Sequence, residues 1–185
     1  MSKIIDSKDL KFLAEVVLWR TMSSVEILRN VGCSPDVIAH CVMVSRTALA
    51  IADRVKFPVD NELIGKGGLY HDIGRSRTHG IDHALAGVEI GRRLGFSDGL
   101  INIIERHIGA GISAAEAERL GLPKKDYLPL TFEEKIVSYA DNLINGVREM
   151  PFYEALDRFR DILGPDHEGV GLFIKQHREI QEWMR

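Results

Sequence analysis

The sequence predicts an all-α fold, a bundle of about eight or nine helices. Three observations carry this. Apolar residues recur three and four apart through nearly the whole chain, which is the period of a helix face. Long alternating β-branched runs are absent. Ser and Thr caps open the periodic segments, and Gly or Pro closes them at short intervals. With 185 residues, 45% hydrophobic and 28% charged, the chain has the core-forming content of one globular domain, expected to span residues 1–185.

The elements follow in order. Residues 7–20 carry Leu10, Phe12, Leu13, Val16, Val17 and Trp19 and predict a first helix. Residues 22–31 predict a shorter one that stops near Gly32. Ser34-Pro35-Asp36 starts the next: Ser34 caps, and Pro35 in the first turn loses no needed donor. That helix runs through Cys41, Ser45, Ala48 and Ala52 to about Lys56, where Phe57-Pro58 ends it. Another covers about 61–73 up to Gly74, and residues 75–81 are expected as loop. Residues 83–94 stop at Gly95, and Ser97 caps a helix over about 98–108. Ser113 with Glu116, and Thr131 with Glu134, form capping boxes for a short helix to Leu120 and a longer one over about 132–148. Two last helices, 152–163 and 168–183, are separated by Gly164-Pro165 and are expected to pack on the rest. Phe152, Phe159, Leu163, Phe173, Ile174 and Ile180 form their core side, with Glu154, Asp157, Arg158 and Arg160 facing water. No sheet is expected.

Charge narrows the function classes. Lys+Arg is 24 and Asp+Glu is 27, a net charge of −3, so no basic excess supports general nucleic-acid binding. Cys33 and Cys41 are too few for a disulfide scaffold and are expected reduced. Lys3, Asp6, Lys8, Asp9 and Lys11 interrupt any apolar signal core. The longest apolar runs fall short of the roughly 20 residues of a membrane span. A cytoplasmic protein is the expectation.

Seven histidines stand out: His40, His71, His79, His83, His107, His167 and His177. Singly, each has a plain alternative. His40 is the kind of histidine that completes a core, and Asp141, among Val137, Ala140, Leu143 and Ile144, asks for a salt-bridge partner. His83 fits a helix start, and His107 complements a helix C-terminus. Taken together, several separate helices each offer an imidazole or carboxylate, the donor types that suit Fe, Mn, Zn or Ni. Helical bundles build metal sites from inward-facing side chains in this way.

The order His40, His71-Asp72, Asp141 resembles the HD superfamily of metal-dependent phosphohydrolases, and Gly68-Leu69-Tyr70-His71-Asp72-Ile73-Gly74 matches its HDIG signature. His83-Ala84-Leu85-Ala86-Gly87, Glu105-Arg106-His107 and the segment Glu134 to Asp141 are similar to the two-metal subgroup. This subgroup holds the bacterial hydrolases that split diadenosine tetraphosphate and small stand-alone archaeal HDIG proteins. The likeness covers about residues 34–145. It implies an HD-domain helical bundle in which Asp72 bridges two divalent transition-metal ions. His40, His71 and Asp141 would complete one site, and His83 and His107 the other. The chain departs from the cyclic-dinucleotide branch in lacking a Gly-Tyr-Pro extension after the signature.

The resemblance implies hydrolysis of a nucleotide or related phosphoester or phosphoanhydride by a metal-activated water. Arg75, Arg77 and Lys66 are the candidates to hold substrate phosphate, with Arg106 weaker. His79 is the candidate acid for the leaving group, alongside Asp72 in the catalytic set. Two alternatives stand beside this: a di-iron oxygenase on the same ligands, and a non-enzymatic, metal-stabilised nucleotide-binding module. Metal affinity is expected to fall as pH drops below the ordinary histidine pKa of about 6.5.

Overall fold

A computed structural model of the protein describes residues 24–185. The expected helix over 7–20 lies outside the described residues. Nine α-helices form among the described residues: α1 (Ser24–Asn30), α2 (Pro35–Ala52), α3 (Asn61–Tyr70), α4 (His83–Arg93), α5 (Asp98–Arg106), α6 (Ala114–Arg119), α7 (Phe132–Asn142), α8 (Phe152–Leu163) and α9 (Glu168–Trp183). The all-α expectation stands.

Caps set most of the starts. Ser34, Asp60, Ser97, Ser113 and Thr131 each accept a bond from a backbone N–H three residues on. Each such cap stabilises its helix by about 1 kcal/mol. The α7 capping box is only half formed. Thr131 accepts from Glu134 N at 3.2 Å, but the Glu134 carboxylate turns to Leu130 N at 2.7 Å and Arg106 Nη1 at 3.0 Å.

α2 packs against both α3 and α7 and forms the spine of the bundle. At 18 residues and mean hydropathy 1.3, it is long and apolar enough by composition to cross a bilayer. That apolarity is used inside the bundle: Cys41, Val44, Ala48 and Ile51 are buried on its inner face. Both cysteines are free and buried. One core cluster joins Val44, Ile64, Ile136 and Val137 to Phe159, Phe173 and Ile180 of α8 and α9. A second gathers Leu28, Cys41, Ile73, Val88 and Ile104 around α1, α4 and α5.

The structure corrects two expectations here. The helix expected over 132–148 ends at Asn142, and an antiparallel pair follows, β1 (Ile144–Asn145) with β2 (Arg148–Glu149). Gly146 takes φ +62° at the first position of the two-residue turn, as primed hairpin turns require. Residues 73–76, divided in the sequence reading between helix end and loop, instead form a 3-10 turn directly after His71-Asp72.

Candidate metal centre

Five chain segments bring the six expected ligands together. His40 stands on α2, and His71 and Asp72 end α3. His83 is the first residue of α4, His107 caps the C-terminus of α5, and Asp141 lies in the last turn of α7. Gly74 makes the close approach possible. A Cβ there would collide with His83 O and lie 2.5 Å from Gly87 N, so only glycine lets the start of α4 seat against the 3-10 turn beside Asp72.

The Asp72 carboxylate divides between two groups of ligands. Its Oδ1 lies 3.1 Å from His83 Nε2 and 3.4 Å from His107 Nε2. Its Oδ2 lies 3.9 Å from His40 Nε2 and 3.7 Å from His71 Nε2. Asp141 Oδ1 approaches the same two imidazoles, at 2.9 Å and 3.4 Å. The ligand atoms of Asp72, His83 and His107 lie within 4.8 Å of one another, as do those of His40, His71 and Asp72.

Backbone carbonyls orient every ring. Nδ1 donates to Gly146 O in His40, Gly68 O in His71, Gly80 O in His83 and Ile104 O in His107, at 2.8–2.9 Å. With the ring proton held on Nδ1, Nε2 presents its lone pair to the centre, the arrangement that supports metal-ligating histidines. The hairpin absent from the sequence reading is what supplies Gly146 O to His40. Its signal was Gly146-Val147, a Gly-X pair at the two turn positions inside an apparently helical run.

The donors fit divalent transition ions. His71 Nε2 and Asp72 Oδ1 are buried without a hydrogen bond, which costs roughly 1–3 kcal/mol for each unless a cation satisfies it. His83 Nε2 and His107 Nε2 face one another at 3.0 Å, two lone pairs that repel unless they share a cation. Burial opposes a charge on His71, but Asp141 and Asp72 outweigh it and raise its pKa to about 9. Burial likewise opposes ionisation of Asp72 and Asp141, yet the His71 charge, foremost among the neighbours, holds both carboxyls well below the usual range. Burial pushes the His107 pKa down and keeps that ring neutral.

Two clefts open on the centre. One, about 400 Å³, is lined by Asp36, His40, Asp72, Arg75, His79 and Arg158 among others. The other, about 330 Å³, meets His83 and His107 and is walled by isoleucines, Leu163 and Phe159. Arg75, Asp141, Asn142 and Arg158 line both. Of the expected substrate residues, only Arg75 reaches the centre, with Nε 2.5 Å from Asp72 Oδ2. His79 lies exposed on the rim of the larger cleft. Lys66 pairs at 2.5 Å with Glu62 one turn away, and Arg77 pairs with Glu89. Neither lines a cleft at the centre. Arg106 is committed to the buried Glu134. His167 caps α9 on the cleft wall, and His177 stacks on Phe152 away from the centre. Arg158, expected to face water, instead turns into both clefts. Asn142, expected inside a helix over about 132–148, instead ends α7 and lines both clefts.

The HD domain family model matches residues 37–146. An uncharacterized protein of Methanocaldococcus jannaschii is 48% identical over 165 residues, covering 88% of this chain and 97% of that protein. The tRNA (cytidine(56)-2'-O)-methyltransferase of Picrophilus torridus is 43% identical over 154 residues, 83% of this chain. The match spans only 44% of that enzyme's length. The HD domain of the Listeria monocytogenes phosphodiesterase PgpH superposes with a TM-score of 0.57 over 89% of this chain and 96% of that domain. At 19% identity this shows a common fold.

Proposed function

The chain belongs to the HD domain family, and from that premise we propose that it is a metal-dependent phosphohydrolase acting on a small phosphate ester or anhydride, nucleotides among them. One observation carries this reading: the two Asp72 oxygens face two different histidine groups inside one pocket. His40, His71 and Asp141 with Asp72 Oδ2 would hold one divalent ion, and His83 and His107 with Asp72 Oδ1 a second. Such a pair, whether Fe, Mn, Zn or Ni, supplies a water made acidic near neutral pH and a clamp for phosphoryl oxygens.

The side chains do the rest. The carbonyl bonds at Nδ1 fix each ring, so no reorganisation accompanies binding. Arg75 is anchored through Nε to Asp72 and lines both clefts, where its guanidinium would offer its remaining donors to phosphate oxygens. His79, on the cleft rim, protonates the leaving oxygen. With Lys66 and Arg77 in outer ion pairs, Arg75 takes the phosphate role assigned to all three from sequence. The PgpH domain has also been solved in complex with cyclic-di-AMP. That supports a nucleotide as one ligand class for this fold.

The test is release of phosphate or nucleoside phosphate from a panel of phosphate compounds by metal-reconstituted protein. Asp72→Ala is expected to lower the rate at least about a thousandfold. Inertness of the fully loaded protein across the panel would overturn the reading. Oxygen uptake by the iron-loaded form would favour the oxygenase alternative instead.

A further inference from the structure

We propose that Arg158 and Asn142 form a phosphate subsite beside the metal centre, and that the adjoining apolar cleft seats the organic part of the ester. The substrate is then a phosphate monoester of one bulky apolar or aromatic alcohol. This rests on the hydrolase reading above and deepens it.

Asn142 is 4% exposed, and its Nδ2 donor has no acceptor. Arg158 Nε is buried and equally unpaired, and no carboxylate among the described residues pairs with this guanidinium. Two unsatisfied donors are costly in a folded protein unless an acceptor meets each of them. Both residues line both clefts together with Arg75 and Asp141, so the missing acceptor belongs where the clefts meet. An anionic phosphate group, with several acceptor oxygens, suits two donors of one cleft, one of them cationic. Arg158 comes from α8, beyond residues 37–146 of the family match, so the subsite's cation is supplied by the C-terminal helices while Asn142 lies within the matched region.

The apolar cleft names the other half of the ligand. Ile81, Ile108, Ile112, Phe159, Ile162 and Leu163 line it, and of its carboxylates Asp141 faces His40 and His71, Glu116 lies in ion-pair range of Arg119 and His167, and Glu168 accepts the Ser113 hydroxyl. Ile162 and Leu163 stand 69% and 41% exposed at its rim, large side chains that a bound apolar group would cover. At about 330 Å³ the cleft is near the lower end of small-molecule pockets, roughly 300–1,000 Å³, and seats one aryl- or nucleoside-sized group rather than two. In the reaction, water adds to phosphorus, the bond from phosphorus to the ester oxygen breaks, and the alcohol leaves with a proton.

The experiment compares 2-phenylethyl phosphate with ethyl phosphate, whose leaving alcohols are chemically alike, and the matching non-hydrolysable phosphonates in calorimetric binding to the metal-loaded full chain. We expect kcat/KM and affinity to favour the phenylethyl compounds by about tenfold or more. Arg158→Gln should weaken both phosphonates about tenfold or more, Asn142→Ala less, and Arg158→Lys should recover part of the loss. Ile162→Ser should weaken phenylethylphosphonate more than ethylphosphonate and so reduce the phenylethyl preference. Equal treatment of the two compounds, or Arg158→Gln binding like the parent at unchanged metal content and melting temperature, overturns the subsite even if hydrolysis is seen. Phosphonate binding with the expected pattern but no hydrolysis of either ester or of any compound in the panel keeps the subsite and removes the hydrolase reading.

Discussion

At the scale of single residues, Asp72 ties the two halves of the centre together, and its neighbours can be told apart by what their loss removes. His83→Ala is expected to lower metal content from two ions per chain to one, while Asp72→Ala loses both, read by elemental analysis after reconstitution. His71 sets the pH dependence. Its pKa is raised to about 9, so metal-free protein carries a proton there at neutral pH, and an ion must displace it. Affinity should therefore fall steadily as pH drops from about 9 towards 7, earlier than an unperturbed histidine predicts, with uptake of metal at pH 8 releasing protons. Calorimetry in two buffers of different ionisation enthalpy measures this, and a flat affinity from pH 9 to 7 would count against it. The ligand types were legible only as a set, because each imidazole or carboxylate has a plain use alone and the HDIG run joins them into one pattern. Arg158 and Asn142 were not, because their unpaired donors exist only once α7 and α8 are placed.

Among the elements, the 3-10 turn and the hairpin do the positioning. Gly74 sits where α4 meets the turn, and any Cβ there meets backbone that cannot move aside. Gly74→Ala is expected to cost at least about 3 kcal/mol and to cut metal binding by the His83 and His107 group first. Gly65, in the middle of α3, gives the contrast: a Cβ there meets only Leu49 Cδ1 at an ordinary 3.5 Å. Gly65→Ala should be neutral or stabilising by up to about 1 kcal/mol, since alanine is the better helix former. Denaturant unfolding of both variants, with metal content, separates the two outcomes. The capped helices were readable because a cap is a local hydrogen bond between residues three apart. The hairpin at 144–149 was not, because Ile144, Val147 and Met150 keep a helical spacing and only Gly146 betrays the turn.

For the molecule as a whole, α8 and α9 close the core that the other helices leave open. Phe173 is fully buried and stacks on Phe159 with ring centres 4.5 Å apart. Between them and α7, His177 stacks on Phe152 and accepts the Tyr139 hydroxyl at Nδ1, 2.5 Å away. Burial lowers the His177 pKa below its ordinary 6.5. The unfolded chain then takes up a proton that the folded one refuses. The stability contribution is complete above about pH 6.5 and is lost as pH falls through that value towards the lower folded one. Between pH 7.5 and 5.5 metal-free protein should lose stability relative to His177→Phe, which keeps the stacked ring without the titration, while His71 acts alike in both proteins. Equal slopes for the two proteins in denaturant unfolding would refute this.

The sequence by itself determined the helical class, most helix starts and six ligand-type residues, because periodicity, caps and the HDIG run are written in local order. Only the tertiary structure decided which Asp72 oxygen faces which histidines, which carbonyls aim the rings, and which arginine reaches the clefts. Those depend on distances between residues far apart in the chain, such as His40 to Gly146 and Arg158 to the end of α7, and such distances are fixed by packing rather than by any local pattern.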